Sequence, residues 1–462
     1  MLHATSNERL QESIRRLRCG FMQENCEKLF NVLRADELTG AVAEEVGGWR
    51  ERIYSPVLTL RLFVEQALHA DHACQDVVVR HAVERTARGL VQASLSSGPY
   101  CRARQRLPLS LLGRVSTLVG WRLEEASPAV WRWRGRPVKL IDGTTVSMPD
   151  TLANQQAYPQ HGEQKRGLGS PLARLVALIS LGSGAVLDWA MGPCKGKGTG
   201  EDALLRQILG ALNAGDLLLG DRYHCSFITV WLLQRLGVDI VMRQHGGRVT
   251  DFRRGVRLGK RDHLVSWKRP PRPEWLEQEV YAQLPEQLVV REVQVAGWVL
   301  VSTLLNPRQV SRLEINALYA LRWNIELDLR SIKCVMGMDI LSCKSPQMVR
   351  KEVGAYLLAY NLIRAVMAQA AACARRWPRQ LSFSAAKRII ISFQDLLMHH
   401  PAGKLTTMFA YVRGAIAALL LPYRPNRVEP RAVKRRPKPR RLLMVPRDIA
   451  RARLERQRPV IA

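Results

Sequence analysis

Paired cysteines, long hydrophobic runs, an acidic surplus and internal repeats are all missing from this chain of 462 residues. Its nine cysteines stand singly, at 19, 26, 74, 101, 194, 225, 334, 343 and 373. An odd number without a CxxC pair indicates neither a zinc site nor a disulfide framework; reduced, mostly buried thiols of a cytosolic protein are expected. The first residues are charged from Glu8 through Arg18 and lack the apolar core of a signal peptide. The longest apolar region, Leu172 to Met191, is interrupted by Arg174, Gly182-Ser183-Gly184 and Asp188. That is a hairpin pattern, too broken for a membrane span of ~20 apolar residues. No membrane partner is expected.

What the chain has is positive charge. Its 70 Lys and Arg face 40 Asp and Glu, a net charge of +30. Such a balance favours a polyanionic partner, DNA or RNA first, because neutralising phosphates releases counterions. An apolar fraction of 47% supports packed cores and excludes wholesale disorder. The length suggests about three domains.

Residues 1–134 read as mostly helical. Ser55-Pro56 ahead of Val57 is an N-cap followed by proline at the first helical position. Ser96 to Tyr100 marks a turn before Arg102, Arg104 and Arg106, with a helix expected over Leu109 to Glu125. This basic turn-helix is equally a DNA-groove element and an ordinary solvated helix start. Val138 to Asp142 then reads as a short strand ending in a carboxylate, with a hairpin from Leu175 to Leu181 and Ala185 to Ala190. Helices over Glu201 to Leu212 and Phe227 to Leu236 alternate with strands Asp216 to Gly220 and Val238 to Met242. Such alternation argues for an α/β sheet. Strands predominate between 246 and 308 (Leu264 to Trp267, Leu288 to Val295, Trp298 to Leu305), and helices follow at 345–375 and 384–397. From Pro422 to Arg458 there are 14 Lys or Arg against three acids, a poor core-former and a good polyanion arm.

The densest chemistry lies between Tyr319 and Lys333. At about 100° per residue, Tyr319, Arg322, Glu326 and Lys333 project within about 60° of one another. One carboxylate thus sits among two cations and a phenol, as a metal ligand beside DNA phosphates would. Arg322–Glu326 and Glu326–Arg330 are also i,i+4 pairs, so a solvated salt-bridge face is the plain alternative. Asp142 and Asp221 each follow a short strand, and the carboxyl ends of strands are where open α/β sheets bind ligands. Either aspartate alone is equally an Asx-turn or a helix cap. Two strand-end aspartates and a helical carboxylate can hold two Mg²⁺ ions about 4 Å apart, one activating the nucleophile and one stabilising the leaving oxygen. Hard oxygen ligands beside phosphate suit Mg²⁺, with Mn²⁺ as a substitute, and not zinc. The glycine-rich Lys195 to Gly200 lacks phosphate-loop spacing, and His161, His224 and His245 have no ligand spacing; all read as ordinary.

Asp142-Gly-Thr-Thr with Pro149-Asp-Thr, Gly220-Asp-Arg-Tyr, and Tyr-x2-Arg-x3-Glu-x6-Lys at 319–333 resemble the DDE transposases of insertion-sequence-four type. The last spacing matches that family's YREK signature at all four positions. The resemblance extends to Tyr100 to Pro108 and to Arg424 to Pro439, nearly the whole chain. It implies an α/β fold with a ribonuclease-H-like core at 135–245 and 309–375, interrupted by an all-β insertion at 246–308. A helical N-terminal domain at 1–134 that binds DNA, C-terminal helices at 376–421 and a basic tail at 422–462 complete the expected layout.

By the same resemblance, Asp142, Asp221 and Glu326 form the metal triad, and Tyr319, Arg322 and Lys333 grip phosphates near the element end. Trp298 falls where related transposases keep an aromatic for a flipped base, or is simply a strand tryptophan packed in a core. Arg222 and Tyr223, after the second aspartate, are expected as phosphate neighbours. The implied reaction is hydrolysis at each element end to free a 3′-OH, which attacks the opposite strand as a hairpin or the target DNA. Double-stranded DNA carrying terminal inverted repeats, a homodimer in the synaptic complex and a bacterial, cytoplasmic, nucleoid-associated location are implied too. Two alternatives stay open: a domesticated DNA-binding protein without catalysis, and a structure-selective nuclease of the same fold.

Overall fold

A computed structural model describes residues 33, 35–49, 53–87, 89–90, 94–295, 297–399, 402–422 and 443–457. Cys19, Cys26 and most of the basic tail lie outside these residues.

Among the described residues, five α-helices precede the first strand: α1 (Ala35–Glu45), α2 (Pro56–Leu68), α3 (Cys74–Ala87), α4 (Gly98–Arg106) and α5 (Leu109–Glu125). Ser55 caps α2, its hydroxyl accepting from the Leu58 N–H at 3.3 Å, and Pro56 opens the helix where a missing N–H costs nothing. Because α2 is buried all along its length, Arg61 is carried inside together with its partners, Glu84 of α3 at 2.9 Å and Glu65 at 3.3 Å. The groove reading of the basic α4 fails at Arg104. That side chain is buried, donates to the Gln66 side-chain carbonyl at 3.0 Å and stacks on Phe63 and Tyr100. Helical spacing turned one of three arginines inward, where it is committed to the fold.

Among the described residues nine strands make one sheet, in the order β3-β2-β1-β4-β5-β9-β8-β7-β6. An antiparallel meander comes first: β1 (Val138–Ser147), β2 (Leu172–Ser180) and β3 (Val186–Pro193), with α6 (Leu152–Ala157) between β1 and β2. Then β4 (Leu217–Gly220) runs parallel to β1, and β5 (Asp239–Arg243) parallel to β4. Their connections carry α7 (Glu201–Gln207) and α8 (Phe227–Arg235). The strands β6 (Val256–Gly259), β7 (Asp262–Lys268), β8 (Gln287–Val295) and β9 (Trp298–Ser302) extend the same sheet through an antiparallel β5–β9 pairing. The expected all-β character of 246–308 is broken by α9 (Gln278–Ala282), a short run of helix formers between the buried Leu276 and Leu284.

The remaining described helices are α10 (Arg312–Ala320), α11 (Trp323–Arg330), a π-helical turn at Ser331–Val335, α12 (Pro346–Cys373), α13 (Phe383–His399), α14 (Ala402–Ala418) and α15 (Arg447–Gln457). Within the tail, α15 is anchored by an Arg447–Asp150 ion pair at 3.4 Å.

Alternation along the strands puts a core on each face of the sheet. Leu140, Leu175, Ala177 and Ile179 face α2, α5, α12 and the Ile325–Leu329 side of α11. Ile141, Val176, Leu178 and Leu218 face Leu204 and Leu205 of α7 and Val230 and Leu233 of α8. The spine of the first core is α12, whose Asn361 accepts from the Val186 N–H and donates to the Val186 carbonyl, both at 2.8 Å. Those bonds close part of the sheet's outer edge at β3. Among the described cysteines, Cys225 and Cys343 are buried, Cys74, Cys101 and Cys194 half-buried, Cys334 and Cys373 exposed, and none is bridged. Mostly buried thiols are thus not found: Cys334 sits on the π turn and Cys373 at the last residue of α12, where the chain leaves the core.

Candidate active site

The lengths of β1 and β4 set the site. The expected short strand Val138 to Asp142 is in fact ten residues long, so Asp142 lies mid-strand, opposite Ala177 of β2. It still stands at an open edge, because β4 pairs only with Val138 to Leu140 and then ends at Gly220. Beyond Asp142, pairing with β2 keeps Gly143-Thr-Thr extended. Asp221 follows β4 directly and caps a single 3-10 turn, Arg222–His224, with Oδ1 accepting from the Tyr223 N–H at 2.8 Å. The capping alternative is therefore realised, and it engages one oxygen; Oδ2 accepts no hydrogen bond among the described residues.

Glu326 arrives from the other side. The stretch from Tyr319 to Lys333 is not one α-helix: α10 stops at Ala320, and Leu321 and Arg322 are bridged by i→i−3 bonds to Leu318 and Tyr319 before α11 begins. This tightening keeps Tyr319, Arg322 and Glu326 on one side, while Lys333 falls in the π turn, half-buried. Arg322 bridges the carboxylates, 3.2 Å from Asp142 Oδ2 and 2.9 Å from Glu326 Oε1. The salt-bridge face expected as the alternative is thus present at Arg322–Glu326, but it reaches across to the sheet and is not a solvated helix surface. Tyr319 lies beside Arg322, guanidinium to ring 5.9 Å, and burial raises its phenol.

On the opposite helix side, Asp328 is fully buried and accepts from Arg379 at 2.6 Å, from Tyr360 of α12 at 3.0 Å, and from Arg364 of α12. This ionic cluster fixes the helix that presents Glu326, two residues away.

Three acidic or basic groups absent from the sequence-based site join it. Glu201, at the start of α7, lies against Gly143, where a Cβ would stand only 2.5 Å from the Glu201 Cδ; glycine permits that approach. One ligand atom each from Glu201, Asp221 and His224 lie within 4.8 Å of one another. Burial raises the carboxyls of Asp142 and Glu201 above their ordinary values; Asp221 adds to both, against Arg322 for Asp142 and His224 for Glu201. Asp202, the neighbour of Glu201, contacts His224 Nδ1 at 3.0 Å. His224 is therefore not the ordinary histidine its spacing suggested. The available signals were the acidic first turn of α7 and an aspartate and histidine three residues apart after β4.

The rim continues past β4. Gly220 pairs with Met242, and the next β5 residue, Arg243, stacks on Trp298 at 3.6 Å. Trp298 is 47% exposed, which excludes the core-packed alternative. Arg222 and Tyr223 are exposed and lie together, 5.1 Å from guanidinium to ring. The structure thus brings Asp142, Asp221, Tyr319, Arg322 and Glu326 to one place, with Trp298, Arg222 and Tyr223 on its rim and Lys333 at the end of the helix. A partly buried concentration of carboxylates, one with an uncommitted oxygen, fits a divalent cation.

Residues 133–362 match the family described as Transposase DDE domain. The chain is 30% identical over 347 residues to the transposase InsG for insertion sequence element IS4 of Escherichia coli (strain K12), covering 73% of this chain and 76% of that protein. A cryo-EM structure of the piggyBac transposase synaptic complex with hairpin DNA overlaps with a TM-score of 0.40 and 11% identity, over 90% of this chain and 87% of that one. Among the described residues no helix is long and apolar enough to cross a membrane.

Proposed function

We infer the work of individual residues from one premise: the chain belongs to the DDE transposases of insertion-sequence-four type and is a DNA transposase, an enzyme of metal-dependent DNA cleavage and strand transfer. The sheet order β3-β2-β1-β4-β5, three antiparallel strands followed by two parallel ones, supports a ribonuclease-H-like core over 135–245 and 309–375. On this reading 246–308 is an insertion, 1–134 the DNA-binding helical part, 376–421 the C-terminal helices, and 422–462 the basic arm.

The observation that carries the site is the meeting of Asp142, Asp221 and, through Arg322, Glu326 at the open edge of β1 beyond the end of β4. These three carboxylates hold the catalytic ions, two Mg²⁺ with Mn²⁺ as a substitute. Bound there, divalent ions supply a nucleophilic hydroxide at neutral pH and charge for the leaving oxygen. Arg322, half-buried between two acids, presents its guanidinium fork to a non-bridging phosphate oxygen. The Tyr319 hydroxyl, kept protonated by burial, donates to the same phosphate, and Lys333 meets the next one. Trp298, backed by Arg243, offers an aromatic face to an unstacked base, while Arg222 and Tyr223 guide the backbone at the rim. The substrates are double-stranded element ends and target DNA, brought together by a homodimer in the bacterial nucleoid; the freed 3′-OH attacks the opposite strand or the target.

The test is cleavage of labelled DNA carrying the element's ends with Mg²⁺, comparing wild type with Glu326→Ala. Lost cutting with retained DNA binding is expected. Equal cutting by both proteins overturns the site and leaves Glu326 a salt-bridge partner. A joining assay with a free 3′-OH end separates a transposase from a nuclease of the same fold.

A further inference from the structure

His224 is fully buried, and its Nε2 has no hydrogen-bond partner. An imidazole nitrogen in that state is costly unless something occupies it. The other nitrogen, Nδ1, is committed to Asp202 at 3.0 Å. Asp202 is itself held: the Thr229 hydroxyl donates to its Oδ2 at 3.4 Å, and the Ser226 hydroxyl that caps α8 donates to Thr229 at 2.9 Å. The ring is therefore oriented by a hydrogen-bonded carboxylate, the arrangement that fixes histidines which ligate metals. Around it stand Glu201, packed against Gly143, and Asp221 with its uncommitted Oδ2.

Strand alternation separates this group from Glu326. Asp142 has the parity of Leu140 and faces the core of α11, whereas Gly143 has the parity of Ile141 and faces α7. Glu326 and Arg322 serve the first side; Glu201 and His224 serve the second, with Asp221 beyond the end of β4.

We propose that His224 Nε2, Glu201 and Asp221 form a cation site of mixed nitrogen and oxygen donors, oriented by Asp202 and distinct from the all-oxygen pair Asp142 and Glu326. The inference rests on the reading that the carboxylates hold divalent ions, and deepens it by making the two positions chemically unequal. An imidazole donor shifts the preference of the second position toward a transition-metal ion such as Mn²⁺ over Mg²⁺. His224 and Glu201 are ligands in this scheme; Asp202 is a positioning residue.

The experiment is pulsed electron paramagnetic resonance of Mn²⁺ added to the full chain without DNA. Nitrogen coupling from a directly bound imidazole is expected in wild type and in Glu326→Gln, and is expected to vanish in His224→Gln. Asp202→Asn is expected to keep the coupling while weakening Mn²⁺ binding about 10- to 100-fold, the usual effect of losing an outer partner. Mn²⁺ bound without nitrogen coupling in wild type overturns the His224 site and leaves the carboxylate reading intact. No Mn²⁺ bound at all overturns both. Should His224→Gln fail to fold, the wild-type spectrum and Asp202→Asn still decide the matter.

Discussion

Replacing Asp328 with alanine should damage this protein more than replacing Glu326, although only Glu326 is placed in the chemistry. Asp328 has no exposed surface and neutralises two guanidinium groups, Arg364 and Arg379, whose side chains are each 5% exposed. Tyr360 donates to it at 3.0 Å. Removing one partner of a buried ion pair typically costs about 3–5 kcal/mol, because the other charge is left without compensation. Here two cations are left, so the upper end is expected, a large share of the ~5–15 kcal/mol that holds a typical domain together. At roughly 2–4 °C per kcal/mol for large domains, the melting temperature should fall by on the order of 10 °C. Urea unfolding and thermal melts measure the loss, and cleavage of element-end DNA below the melting point measures its reach into the site. Cleavage should drop because the helix that presents Glu326 loses its anchor. Partial recovery of stability in Asp328→Leu/Arg364→Met, which removes acid and one base together, should accompany it. A loss below about 1 kcal/mol in Asp328→Ala would refute the reasoning, since it would mean both arginines find water or other acceptors without rearranging α11.

Three further outcomes are expected. Gly184 has φ +79° and a Cβ there would stand 2.9 Å from the Arg364 guanidinium carbon; Gly184→Ala should destabilise by about 1–3 kcal/mol, and an unchanged melt would contradict the crowding. His81 is buried, with Nδ1 3.5 Å from Glu84 Oε2 and neither nitrogen in hydrogen-bonding geometry, and burial lowers its pKa below 6.5 against the pull of that carboxylate. The unfolded chain therefore takes up a proton first as pH falls below 6.5, so stability present above that pH declines, by up to about 1.4 kcal/mol per unit. The decline ends once the folded value is passed. Stability curves against pH for wild type and His81→Phe should diverge on the acid side, and parallel curves would rule this out. Trp298→Ala should leave folding within about 0.5 kcal/mol yet slow cleavage of element ends about 5- to 150-fold, the worth of ~1–3 kcal/mol of base stacking; equal rates would remove Trp298 from the DNA interface.

Where sequence and structure agree, the signal was local. The Ser55-Pro56 cap, the hairpin around Gly184 and the buried Leu217–Gly220 strand are specified by residues next to one another, and the spacing of Tyr319, Arg322 and Glu326 survives a change of helix type. Where they part, the deciding partner is far along the chain. Asp142 reads as a strand end because it follows a short apolar run and precedes Gly143, and only β2, some thirty residues on, keeps the chain extended beyond it. No glycine or proline marks the junction at Leu321, so its i→i−3 tightening left no trace in the pattern. Glu201 and His224 lie on different elements and meet only because α7 packs against the 3-10 turn that follows β4. The inward turn of Arg104 depends on Gln66, from a helix two elements earlier.

The pairing of β9 with both β5 and β8 bears on any attempt to shorten or re-engineer the chain. In the linear order β9 follows β6, β7 and β8, but in space it shields the flank of the strands that carry Asp142 and Asp221. Excising everything between Arg243 and Asn306 would strip β5 of its neighbour and leave raw hydrogen-bonding groups beside Asp221, an invitation to aggregate. A minimised enzyme would have to retain Trp298–Ser302 and join it to β5 by a designed turn. The same continuity makes the segment a rigid outrigger, so on the proposed reading a base at Trp298 and a phosphate near Asp221 would be kept at a spacing set by the sheet itself.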